Sequence, residues 1–264
     1  METYAFPVCG NMVSPDIDTA TVLRILEPIW LDKTETASRL RGRIEAVLDY
    51  AAAKGLREGP NPARWKGNLA LTLPAKRKVS PVEHFPAIPV QDMPKFFKSL
   101  QEREGTAARA LEFLTLTATR SGEVRGAQWA EIDLAKKIWT VPAQRMKAKR
   151  EHRVPLSAQA IKLLKSLPSK EAGGVLFPGR KLMATLSDMS LTVVMRRMQV
   201  PAVPHGLRSS FRDWVGEETS YPSEVAEMAL AHTVGNAVEA AYRRGDLFEK
   251  RRLMMQEWAK FLST

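Results

Sequence analysis

HGLRSSFRDW (205–214), YPSEVAEMALAH (221–232) and TVGNAVEAAYRRGD (233–246) lie close together along the chain, and the reading of everything else starts from this run. Apolar periodicity predicts helices over 206–218 and 222–232, a short helix near 236–242 and a final helix over about 246–262. His205 and Arg208 stand three apart at a helix start, so they share a face. A helix N-terminus presents free N–H groups and the positive end of its dipole to a phosphate, and the planar fork of Arg208 can hold two non-bridging oxygens. His232 closes the second segment, and an isolated tyrosine, Tyr242, follows ten residues later.

Two stretches further upstream complete the set. TAARALEFLTLTAT (106–119) is apolar on most faces, which predicts a buried helix, and it delivers Arg120 at a turn. Glu123 comes three residues later, placed to orient Arg120 or to cap the next short helix, expected over 122–128. The period then changes to alternation: QWAEIDL, KIWTVP and REHRVPLS predict a small three-stranded antiparallel sheet. Lys147 lies in the basic segment RMKAKREHR (145–153), and in a strand Arg145, Lys147 and Lys149 would point to one side. Two arginines on one phosphate would offset the charge of a pentavalent transition state. Tyr242 is the candidate nucleophile; with an ordinary phenol pKa near 10 it needs a cationic field or a base such as His205. Lys147 is the candidate proton donor to the leaving oxygen.

Composition agrees with a polyanion as partner. Among 264 residues the formal net charge is +11. Residues 1–80 hold 12 basic against 9 acidic side chains, and 81–264 hold 28 against 20, so both parts are basic. The single cysteine, Cys9, excludes an internal disulfide and fits a reducing cytoplasm. One cysteine with four histidines argues against a structural zinc site, and no stretch is apolar enough to predict a membrane helix.

The front of the chain reads as helical. Asp18 or Thr19 caps a helix that Pro28 ends or bends. TETASRLRGRIEAVLDYAAAK (34–54) is amphipathic, with Leu40, Ile44, Val47 and Leu48 at helical spacing and Gly55 as its stop. Its other face carries Arg39, Arg41 and Arg43, which are either a solvated face or phosphate contacts. A proline-rich basic stretch over 73–89 marks the interdomain linker.

Any one of these signals alone is ordinary surface decoration: an HxxR pair, a lone tyrosine, a basic strand. The ordered set Arg120, Lys147, His205, Arg208, His232 and Tyr242 is what carries weight. With RGRIEAVLDYAAAKG, ALEFLTLTATRSGEVRGAQW, RMKAKREHRVPLS, PHGLRSSFRDW, EVAEMALAHTVGNAVEAAYRRGD and FEKRRLMMQEWAKFL, the chain resembles the tyrosine recombinases of the phage-integrase family, over nearly its whole length. It is most similar to the integrases of genomic islands and satellite prophages.

The resemblance implies a mainly α fold with a small antiparallel β-sheet. A partial helical core-type DNA-binding domain would span 1–75, a linker 76–90, and an α+β tyrosine recombinase catalytic domain 91–264. It implies site-specific breakage and rejoining of DNA through a 3′-phosphotyrosyl intermediate, integrating or excising a mobile element, without metal, ATP or other cofactor. Arg120, Lys147, His205, Arg208, His232 and Tyr242 would be catalytic, supported by Glu123; Arg145, Lys149 and Arg150, with Arg39, Arg41 and Arg43, would contact DNA. Partners would be double-stranded DNA at attachment sites, three further protomers in a tetramer, and DNA-bending accessory proteins, in the cytoplasm at the nucleoid. The chain is expected to begin inside its core-binding domain, without the arm-site domain that such proteins usually carry. That leaves a remnant that binds DNA without recombining as the alternative, and a type IB topoisomerase as a rival of shared chemistry. The apolar stripe Leu247, Phe248, Met254, Met255, Trp258, Phe261 and Leu262 packs either on its own core or, by the resemblance, on a neighbouring protomer.

Overall fold

A computed structural model describes residues 1–79, 85–167, 174–179, 184–232 and 245–264. It divides into two compact units, Met1–His84 and Phe85–Thr264.

The first unit is helical. Asp18 caps α1 (Thr19–Trp30) by accepting a hydrogen bond from Thr21 N at 2.7 Å. Pro28 does not end this helix, which runs on to Trp30. α2 (Thr34–Ala53) lays Ala37, Leu40, Ile44 and Leu48 against Val22, Ile25, Leu26 and Ile29 of α1, each large side chain stabilising by roughly 1.5–3 kcal/mol when fully buried. Gly55 takes φ +69° just past its end. Val47, expected on the apolar face, is 55% exposed. Nor do the three arginines share a face, since residues two apart point about 200° apart around a helix. Arg39 and Arg43 are exposed, and Arg39 pairs with Glu35 at 2.8 Å. Arg41 turns inward and donates to Glu45 at 2.6 Å and to the Ala63 carbonyl at 2.7 Å.

The second unit is built around α4 (Thr106–Thr117), which follows α3 (Met93–Gln101) and is buried on nearly every face. Its interior threonines are satisfied within the helix, Thr115 Oγ1 donating to Leu111 O and Thr117 Oγ1 to Phe113 O. The short α5 (Ser121–Arg125) follows. The antiparallel sheet is present in the order β1 (Ile132–Asp133), β2 (Ile138–Val141), β3 (His152–Pro155), with Trp139 opposite Val154. It is shorter than its sequence pattern. Pro142 follows β2 without an N–H to give, residues Ala143–Arg145 form a 3-10 turn, and pairing resumes only at His152. Lys147 therefore sits in the β2–β3 connection and not on a strand.

Ser157 caps α6 (Ala158–Ser166). α7 covers Ser190–Arg197, less than the 185–198 expected. α8 (Gly206–Glu218) and α9 (Ser223–Ala229) precede α10 (Phe248–Phe261). The stripe on α10 packs on its own unit: Trp258 is fully buried among Phe211, Trp214 and Phe261, and its Nε1 donates to Thr115 O at 2.8 Å. Removing this helix would therefore uncover the core of the unit. The short helix expected near 236–242 lies outside the described residues.

Candidate phosphate-binding site

Two loops and one helix start converge in the second unit. α4 ends at Ala118 in the left-handed conformation (φ 51°), and α9 is followed by Ala231 in the same conformation (φ 50°). Such geometry costs an L-residue about 1–2 kcal/mol, and here it turns the carbonyls of Ala118 and Leu230 toward one guanidinium. Arg208, 4% exposed, donates to Ala118 O at 2.6 Å, to Leu230 O at 2.6 Å and to His232 Nε2 at 3.0 Å.

Arg120 is the N-cap residue of α5. Glu123 grips it twice, Oε2 accepting from Arg120 N at 3.0 Å and Oε1 from its guanidinium at 2.9 Å. The guanidinium reaches across to Ala231 O at 3.4 Å. Thus Arg120 and Arg208 each span from one loop to the other. Burial pushes the Arg208 pKa down to about 10, and the charge of Arg120 adds to that effect. Two cations held together in this way leave a strong demand for an anion.

His205, at the N-cap of α8, stays exposed and sits edge-on to Phe85 at 4.6 Å. Desolvation on its covered side holds its imidazole below the ordinary histidine pKa, and the charges of Arg208, Arg120 and Lys147 push the same way. Gly206 is required beside it, because a Cβ there would come within 2.0 Å of the Pro86 carbonyl oxygen. His232 is held from its far side, with Nδ1 at 2.6 Å from Glu227 Oε2, while Glu227 Oε1 accepts from Arg212 Nε at 2.6 Å. Burial works to raise the Glu227 pKa, but the hydrogen bonds from Arg212 and His232 outweigh it and leave the carboxylate below its usual value.

The fold thus brings Arg120, Glu123, His205, Arg208 and His232 together. Lys147, Lys149 and Arg150 are exposed in the β2–β3 connection, Lys149 with φ 54°. Arg145, expected to face DNA, is turned inward instead: Glu131 and the Glu123 carbonyl take its guanidinium. Tyr242 lies outside the described residues. Sequence reasoning missed Glu227, which no fixed spacing flags five residues before His232. It also missed His152, 3.3 Å from Ala229 O, and Arg251, 1% exposed within the basic run FEKRRL.

Residues 88–247 match the phage integrase family, and residues 1–68 match the phage integrase central domain. The chain belongs to the phage integrase family. It is 32% identical to the integrase of Enterobacteria phage P4 over 99% of this chain and 63% of that protein. It is likewise 32% identical to the prophage integrase IntA of Escherichia coli (strain K12), over 98% of this chain and 62% of that one. This integrase-family chain therefore spans less than two thirds of the length of these relatives. Among solved structures, a lambda integrase (75–356) dimer bound to a COC′ core site matches with a TM-score of 0.59 and 19% identity, covering 83% of this chain and 80% of that one. That likeness, together with the helices and the three-stranded sheet, agrees with the expected fold class. Among the described residues, no helix is long and apolar enough to cross a membrane.

Proposed function

We propose that this chain is the DNA-cleaving part of a site-specific recombinase that breaks and rejoins double-stranded DNA through a 3′-phosphotyrosyl intermediate. The observation that carries the proposal is the lacing of Arg120, Arg208 and His232 around one point, with exposed His205 at the start of the helix that carries Arg208. A phosphodiester entering there would receive two guanidiniums, which favour the growing negative charge of the transition state, beside the imidazole of His232.

In the proposed step the Tyr242 phenolic oxygen attacks phosphorus. The phenol proton passes to His205, whose depressed pKa favours the neutral, accepting form at neutral pH. The bond from phosphorus to the 5′ oxygen breaks, its electron pair leaves with that oxygen, and Lys147 supplies the proton that completes the 5′-hydroxyl. Attack by a 5′-hydroxyl of a partner strand reverses the step, so the bond energy is kept in the phosphotyrosine. Strand exchange between two duplexes needs four such sites, which supports a tetramer on attachment-site DNA. A lambda integrase of similar fold is described as a tetramer bound to a Holliday junction. Exposed Arg39, Arg43, Lys149 and Arg150 are the proposed backbone contacts.

The test is covalent trapping. A pool of nicked duplexes that lose the 5′-hydroxyl fragment on cleavage is mixed with the chain and run on a denaturing gel beside Tyr242→Phe, with a gel shift for binding. A slow band absent from Tyr242→Phe establishes the chemistry, and its DNA gives the site. Binding without any band points to a DNA-binding remnant. Relaxation of supercoils without site preference points to a topoisomerase.

A further inference from the structure

Arg145 lies two residues before Lys147, and it is built into the unit instead of facing outward. Its Nη1 donates to the backbone carbonyl of Glu123 at 2.8 Å, and its Nη2 to Glu131 Oε2 at 2.5 Å. The same Glu131 oxygen accepts from Trp139 Nε1 on β2 at 2.9 Å. Arg145 is 23% and Glu131 10% exposed at the side chain. Met146, the next residue, is buried at 3%, and Lys147 then emerges into solvent.

One guanidinium therefore joins the base of the turn that carries Lys147 to the helix that begins at Arg120. It also fixes the local spacing there. A Cβ at Gly126 would lie 2.9 Å from Arg145 Nη1, so a side chain there would push the guanidinium from its place at the end of α5.

We infer that Arg145 is a positioning residue that sets the proton-donating Lys147 against the phosphate-gripping Arg120–Glu123 pair, and that it does not contact DNA. The inference rests on the proposed role of Lys147 as general acid. An exposed turn leaves a lysine many rotamers, and misplacement of a reacting group by about 1 Å can cost about 10²-fold in rate. A two-point guanidinium fork anchored on a backbone carbonyl and a mostly buried carboxylate restricts the backbone from which Lys147 projects.

The experiment compares two nicked duplexes of the sequence recovered by adduct trapping. One has the natural 5′ oxygen at the scissile phosphate, and the other has a bridging sulfur there. A thiolate leaves without needing a proton, since its conjugate acid has a pKa near 8.5, against about 15.7 for water as a guide to an alkoxide. Cleavage rates are measured for the unaltered chain, Lys147→Ala, Arg145→Met and Gly126→Ala, with gel-shift affinity at several salt concentrations. Arg145→Met is expected to slow cleavage of the oxygen substrate by roughly 10-fold to 10²-fold. It should cleave the sulfur substrate within about threefold of the unaltered chain, and bind DNA with unchanged affinity and salt slope.

Gly126→Ala leaves the arginine in place but displaces its guanidinium, and should show a smaller, equally sulfur-rescued defect. It decides the matter if Arg145→Met proves unfolded by thermal melting. Equal loss on both substrates by the folded variants overturns the inference, as does an undiminished rate on the oxygen substrate. A salt slope reduced by about 1 would make Arg145 a phosphate contact and overturn it too. Failure of sulfur to rescue Lys147→Ala removes the general-acid reading itself, and with it the inference. Rescue of Lys147→Ala without rescue of Arg145→Met removes the inference alone.

Discussion

Arg208 donates to Nε2 of His232 across 3.0 Å. A guanidinium has no acceptor, so this nitrogen must carry a lone pair and the ring proton must sit on Nδ1, toward Glu227 Oε2 at 2.6 Å. Glu227 thereby sets the tautomer and plane of a ring that the incoming phosphate would meet. Glu227→Ala is expected to lower the adduct rate roughly 10-fold, below the roughly 10²–10⁴ of a group acting directly. Glu227→Gln, whose amide oxygen still accepts from Nδ1, should lose less. Equal rates for Glu227→Ala and the unaltered chain would show that the dyad is idle.

The mutual repulsion of Arg120 and Arg208 predicts that a simple oxyanion stabilises the fold. Inorganic phosphate at ten times its Kd would contribute about 1.4 kcal/mol, seen as a rise of about 3–5 °C in Tm for a unit of this size. Arg208→Met should melt without that increment. A similar rise in the variant would place the anion elsewhere.

Acid sensitivity should trace to His152. Burial, reinforced by the charge of Arg251, lowers its pKa from 6.5 to about 4. The folded form therefore resists a proton that the unfolded chain accepts. Its contribution is complete above about pH 6.5 and is lost as pH falls toward about 4, to a total of about 3 kcal/mol. Urea unfolding across pH 7 to 4 should show a shallower decline for His152→Gln, whose amide can still donate to Ala229 O. Parallel curves would assign the acid limb to other groups.

Arg251 ties the start of α10 to the sheet. It donates to Asp246 Oδ2 at 2.8 Å, to Asp246 O at 2.7 Å and to Arg153 O at 2.7 Å, while Arg153 reaches the same carboxylate oxygen at 2.8 Å. Arg251→Ala would strand these acceptors and open a void, at a cost of about 3 kcal/mol. Chemical denaturation is the check, and a loss under about 1 kcal/mol would show that solvent replaces the clamp.

Local chemistry was legible wherever a few neighbouring residues decide it. The caps at Asp18 and Ser157, the stop at Gly55, the buried α4 and the shared start of His205 and Arg208 on α8 all follow from spacing and side-chain type. Errors arose where short-range pattern met a long-range contact. RMKAKREHR alternates as a strand does, yet Pro142 and the inward pull of Glu131 and Glu123 on Arg145 keep all but its last two residues, His152 and Arg153, out of the sheet. Arg41 and Arg251 look like surface cations in any window of sequence, and only their acceptors, 22 and 98 residues away, reveal them as internal braces.

By itself the sequence determined which residue types are available for phosphate chemistry, that Arg120 follows a buried helix and that His205 and Arg208 share a helix start, because periodicity and capping act over three or four residues. Only the tertiary structure decided which of the many arginines grip and which merely brace, because that depends on carbonyls brought from Ala118 and Leu230 to Arg208, 90 and 22 residues away along the chain.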